Sequence, residues 1–245
     1  VDDLKDAFTK NTGQHPLKPL IEKPILRFSE EAAIVLDPAL HTAKAGIGPL
    51  FAVPRQIGNL LPSFGYAFES YAQEILRYLC INSGNDLDNL KFNQHLLGAQ
   101  QGEIDACLIE NVNLILFEVK GRWIKDNPQI ASDPEFYIND LYEKYGHSTK
   151  QLARAIVQLT TNSQQASLDG HDIQATQKIF PILLAYDTSL VLPGYTQYFE
   201  TTFAEELDTC GVATRDHRFF TIKQWEIAPL TVITIDVLEM LEEAV

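Results

Sequence analysis

Gly-Glu-Ile-Asp-Ala-Cys-Leu-Ile-Glu-Asn-Val-Asn-Leu-Ile-Leu-Phe-Glu-Val-Lys-Gly-Arg, running from Gly102 to Arg122, places two apolar runs on either side of a short polar break. Each run has the length and composition of a strand. The break between Glu110 and Asn113 predicts a tight turn with Asn111 and Val112 as its loop. Glu110 then faces Asn113, and stepping outward brings Asp105 opposite Glu118 and Glu103 opposite Lys120. Directly opposed residues share a face, and residues two apart on one strand do too. Asp105, Glu118 and Lys120 therefore point the same way, provided the register keeps this parity. The remaining positions are apolar on both faces: Ile104, Ala106, Leu108, Ile115, Phe117 and Val119 on one, Cys107, Ile109, Leu114 and Leu116 on the other. Such strands belong inside a sheet covered on both sides.

Charge inside such a hairpin is costly unless it is paired or bound to a metal. Two ionised carboxylates close together repel, and a hard divalent cation such as Mg²⁺ relieves the conflict through oxygen ligands. A cation held there activates water and stabilises charge on a phosphoryl oxygen. A lysine beside it serves as a point charge for water or phosphate. The set suits phosphodiester hydrolysis. The plain alternative is a solvated hairpin with two cross-strand salt bridges.

Glu103-Ile104-Asp105, a short apolar hairpin and then Glu118-Val119-Lys120 together resemble the core of the PD-(D/E)XK nuclease superfamily, the restriction-endonuclease-like fold. The family pattern is an acidic residue on an early helix, an aspartate on a strand, Glu-x-Lys on the next strand, and often a polar residue on the following helix. Glu69, in Phe68-Glu69-Ser70-Tyr71, matches the early acid, and Gln151 resembles the later polar residue. Ile104 stands where the family name has proline. The resemblance covers residues 64–186. It implies that Asp105, Glu118 and the carbonyl of Val119 bind Mg²⁺, with Mn²⁺ as a substitute. It also implies that Lys120 positions the attacking water and that Glu69 is an accessory ligand or holds a metal-bound water. The expected activity is a metal-dependent nuclease acting on DNA, RNA not being excluded. A catalytically silent scaffold or DNA-end sensor in a larger assembly is the alternative.

Two of these residues have structural readings as well. Glu69 sits at the edge of an apolar helical stripe (Phe64, Phe68, Ala72, Ile75, Leu79), where it could reach a site or face water. Gln151 ends Ser148-Thr149-Lys150-Gln151, itself a capping box. Glu103 reads better as a salt-bridge partner of Lys120 than as a ligand.

The chain's 245 residues carry 33 acidic and 19 basic side chains, a net charge of −14. That balance opposes a general polyanion binder, because such affinity comes largely from Lys and Arg on phosphates. A local lane of Lys120, Arg122, Lys125, Lys144, Lys150 and Arg154, with a second cluster of Arg215, His217, Arg218 and Lys223, is the expected offset. A protein partner or a missing N-terminal region is expected to supply the rest of the grip. Three scattered cysteines, Cys80, Cys107 and Cys210, fit a reducing cytoplasm. No apolar run approaches the roughly 18 residues that span a bilayer. The sequence has no signal-peptide pattern, and without an initiating Met it reads as a processed product or a piece of something longer.

Along the chain, residues 1–29 read as an arm or linker and 30–245 as the nuclease-like domain, with its core at about 64–186 and an α/β extension over 187–245. Expected elements are a helix over 64–80, an edge strand over 90–96, the hairpin, and an acidic, aromatic insertion over 124–147 that serves as a lid, a partner surface or a plain surface excursion. Then follow a helix over 148–161, a polar loop over 162–177, a buried strand over 179–186, and a short helix over 201–207. Late strands over 218–222 and 230–235 precede a closing helix capped by Asp236 with Glu239. The order predicts an α/β fold with a central mixed sheet flanked by helices.

Overall fold

A computed structural model of the chain describes residues 25–27, 33–35, 60–95, 103–122, 134–161, 167–168, 171–173, 177–191, 193–212, 214–215, 219–222 and 225–244. Two compact units emerge: one of residues 1–64 and 125–139, the other of 65–124 and 140–245. In the first, β1 (Ile25–Arg27) pairs antiparallel with β2 (Ala33–Val35). Residue 29, where the arm was expected to end, lies outside the described residues. The rest of the expected arm, and the basic residues Lys125, His217, Arg218 and Lys223, lie outside the described residues.

The second unit is α/β. α1 spans Leu60–Asn82, longer than the stripe predicted, and buries Phe68, Ala72, Ile75, Leu76 and Cys80. The strands β3 (Leu90–His95), β4 (Glu103–Glu110), β5 (Asn113–Lys120) and β8 (Lys178–Ala185) build half of a mixed sheet. β3–β4 and β4–β5 are antiparallel; β5 and β8 run parallel in register from Asn113↔Lys178 to Lys120↔Ala185. Parallel neighbours require a crossover. The connecting chain includes α2 (Pro134–Leu141), whose residues up to 139 belong to the first unit, and then, in the second, a π turn (Tyr142–Gly146), α3 (His147–Thr161), and a small antiparallel pair, β6 (Ser167–Leu168) with β7 (His171–Asp172), inside the expected polar loop.

After β8 come α4 (Pro193–Thr209), β9 (Thr214–Arg215), β10 (Phe219–Ile222), β11 (Trp225–Ile227), β12 (Thr231–Thr234) and α5 (Ile235–Ala244). β11 and β12 both pair parallel with β8, β11 at its start and β12 at its end, while β10 and β9 extend the sheet antiparallel. α4 has 17 residues where a short helix was expected; Pro193 sits at its first position, where a missing N–H costs nothing. The expected Asp236–Glu239 cap does not form: Asp236 accepts from the Thr234 hydroxyl and Glu239 accepts from Tyr71. The core joins the sheet to α3 and α4 through Leu114, Leu116, Leu152, Ile156, Leu159, Ile179, Leu183, Phe199 and Phe203. No helix among the described residues is long and apolar enough to cross a membrane.

Candidate active site

The β4–β5 hairpin closes through Asn111 and Val112, with Glu110 opposite Asn113, in the predicted register. Asn111 takes φ 54°, a left-handed conformation that asparagine tolerates better than most residues. The antiparallel ladder then runs outward to Ala106↔Phe117. Asp105 and Glu118 are the next step of that register, and there regular pairing ends. The Val119 N–H, which an unbroken ladder would aim at the β4 backbone, donates instead to Asp105 Oδ2 at 2.6 Å. β3 skips the same residue. Phe92↔Ala106 and Gln94↔Ile104 pair on either side, while Asn93, across from Asp105, carries φ 51°. The sheet thus opens on both flanks of Asp105, while β5 stays paired with β8 to its last residue.

At this opening the Lys120 ammonium lies 2.8 Å from Glu118 Oε1 and 3.4 Å from Asp105 Oδ2. Glu118 is only 4% exposed. Burial, with Asp105 adding to it, pushes its carboxyl from an ordinary 4.5 up to about 7, although Lys120 and the Ser148 hydroxyl favour the charged form. For Lys120, burial opposes the charge, yet Glu118 and Asp105 outweigh it and raise the ammonium above its usual range. One cation between two carboxylates leaves the cluster short of positive charge. The group sits at the C-terminal end of β5 beside the C-terminal end of its parallel neighbour, a place where α/β sheets commonly bind ligands.

Of the residues predicted for the site, Asp105, Glu118 and Lys120 come together, and Val119 joins them through its N–H. Glu69 is half-buried, one residue after Phe68, whose side chain lies against Gly121 and whose ring meets Tyr186 edge-on at 5.5 Å. The early helix therefore does pack on the end of β5. Among the described residues, however, no group of three or more His, Cys, Asp or Glu side chains could hold a metal ion. Gln151 is exposed to solvent. The capping box proposed for it is absent too, because α3 continues from the π turn and Ser148 lies within helix. From α3, Ser148 meets the site, bonding Glu118 from a buried position. The expected Glu103–Lys120 pair rests on a side chain outside the described residues.

Two further residues escaped the sequence reading. Gly121 follows Lys120, and a Cβ there would stand 2.8 Å from Phe68 Cβ, so only glycine admits this approach of α1. Tyr145, fully buried, donates its hydroxyl to the Arg122 carbonyl. A glycine directly after Glu-x-Lys was the signal available for the first.

The basic lane is largely neutralised. Lys144 pairs with Asp140 at 2.6 Å, while Arg154 at 2.6 Å and Lys150 at 3.6 Å both hold the buried Glu206. Arg122 is exposed. Comparison with protein-family models, with curated proteins and with solved structures gave no match.

Proposed function

We propose that the chain is a divalent-metal-dependent nuclease of the PD-(D/E)XK type that hydrolyses phosphodiester bonds in DNA. The observation that carries this reading is the meeting of Asp105, Glu118 and Lys120 where β4 and β5 part. Two carboxylates sharing one ammonium form a hard oxygen donor set with charge to spare, which suits Mg²⁺ or Mn²⁺. Asp105, Glu118 and the Val119 carbonyl would hold the ion, which would supply positive charge to the scissile phosphate and to the water that attacks it. Lys120 then has two tasks. It balances the carboxylates before the cation arrives, and afterwards it presents a point charge to the phosphate or the water. Ser148, hydrogen-bonded to Glu118, would help hold that carboxylate in place for the ion. The three cysteines are free thiols, in keeping with a cytoplasmic setting.

A second reading, a catalytically silent scaffold, draws support from the net charge of −14 and from the pairing of Lys144, Lys150 and Arg154 with carboxylates. Incubation of supercoiled and linear DNA with the protein and Mg²⁺ separates the two. Nicking that is lost in Asp105→Ala and Lys120→Ala supports the nuclease. Calorimetry with Mn²⁺ showing no binding that depends on Glu118 leaves the scaffold.

A further inference from the structure

Between α2 and α3 the helix widens into a π turn, with the His147 N–H donating to the Tyr142 carbonyl. Such turns commonly mark functional positions. Gly146 makes this one possible, since a Cβ there would meet the Tyr142 ring at 2.8 Å and the Tyr198 hydroxyl at 3.3 Å. Its consequence is the placement of Tyr145. The ring packs edge-on against Phe199, 6.0 Å between centroids, and no part of the side chain reaches solvent. A buried phenol needs polar partners. Tyr145 finds two, donating to the Arg122 carbonyl and accepting from the Asp187 backbone N–H. Arg122 leaves β5 two residues after Lys120, and Asp187 leaves β8 two residues after Ala185. One hydroxyl therefore ties the exits of two parallel strands.

The same segment is held elsewhere. The Lys120 carbonyl accepts from Tyr186 N–H at 3.1 Å, and Gly121 lies under Phe68. One helical turn beyond Tyr145, Ser148 bonds Glu118. The turn and the helix after it thus grip the Glu-Val-Lys-Gly-Arg run at both ends, Glu118 through Ser148 and Arg122 through Tyr145. We propose that Tyr145 is a positioning residue, whose hydroxyl joins the β5 and β8 exits and thereby fixes the direction in which Lys120 presents its ammonium. The claim rests on the nuclease reading for its catalytic consequence, but its geometric part stands apart from it.

Tyr145→Phe in the full chain removes the hydroxyl and keeps the ring. Phe203→Leu, a core change next to Phe220 and outside the clamp, is the control for lost stability. If the wild type cleaves DNA, Tyr145→Phe is expected to lower kcat by about ten- to a hundredfold at unchanged KM and Mn²⁺ affinity, since small misplacements of a reacting group are costly. Phe203→Leu is expected to keep kcat at temperatures where it stays folded. Equal kcat in wild type and Tyr145→Phe overturns the proposal, and so does an equal loss in both variants. If the wild type does not cleave, the nuclease reading falls and the positioning claim is decided by nitrogen NMR of the Lys120 ammonium. A resonance that moves in Tyr145→Phe and stays in Phe203→Leu upholds it; one that stays in both overturns it.

Discussion

Replacing Glu118 by glutamine tests the electrostatics of the site without any substrate. The Glu118 carboxyl is lifted from 4.5 to about 7 in the folded protein, chiefly by burial and then by Asp105. Ionising it therefore costs the folded state more than the unfolded chain. The associated stability is fully present below pH of about 4.5 and is lost as pH rises through about 7. A lift of that size corresponds to about 3 kcal/mol. Lys120, held above its usual range, stays charged across this window and does not contribute to the slope. Wild-type protein is thus expected to lose up to about 3 kcal/mol of unfolding free energy between pH 5 and pH 8 through this group. Glu118→Gln keeps the side chain's shape and removes the titration, so its curve should be flatter by that amount. Urea unfolding at half-unit pH steps, followed by circular dichroism, measures both curves. Mg²⁺ adds a second arm: a cation that needs the ionised carboxylate should restore wild-type stability at pH 8 and leave Glu118→Gln unchanged. Parallel pH curves for the two proteins would refute the account of a desolvated, under-compensated carboxylate.

Asp105→Ala should cost about 1–3 kcal/mol in thermal or urea unfolding because it strips the Val119 N–H of its acceptor, whereas Asp105→Asn, which keeps one, should cost less while still abolishing metal binding. Gly121→Ala forces a Cβ to within 2.8 Å of the Phe68 Cβ, and a loss of about 1–3 kcal/mol is expected in urea unfolding; an unchanged unfolding free energy would contradict so close an approach. Gln151→Ala should leave stability within about 0.5 kcal/mol of wild type and DNA cleavage unchanged, while Ser148→Ala lowers cleavage, and the reverse ranking in a nicking assay would return the polar helix position to Gln151.

The hairpin was legible because its determinants are local. Alternating apolar positions, a two-residue loop and the parity of pairing together place Asp105 and Glu118 on one face, and the register came out as read. The edge strand expected over 90–96 and the buried strand expected over 179–186 appear as Leu90–His95 and Lys178–Ala185, the second read from a continuous apolar run. α4 runs well beyond the expected 201–207, from Pro193 to Thr209, and packs Phe199, Phe203 and Leu207 into the core. The basic lane misled in part because the Glu206 carboxylate that meets Lys150 and Arg154 comes from more than 50 residues away on α4, whereas Asp140, which meets Lys144, is only one helical turn away in sequence.

By itself, then, the sequence determined the sheet's central hairpin and the shared face of two carboxylates and a lysine, because period-two alternation is a property of neighbouring residues. Which helical side chain reaches Glu118 was decided only in three dimensions. Ser148 lies four residues before Leu152 and so shares the buried face of α3 with Leu152, Ile156 and Leu159, but that this face meets Glu118 follows only from how α3 packs on the sheet. The same holds for Tyr145 and Gly121. Their roles arise from strand ends and a helix that lie far apart along the chain and meet only once the sheet has formed.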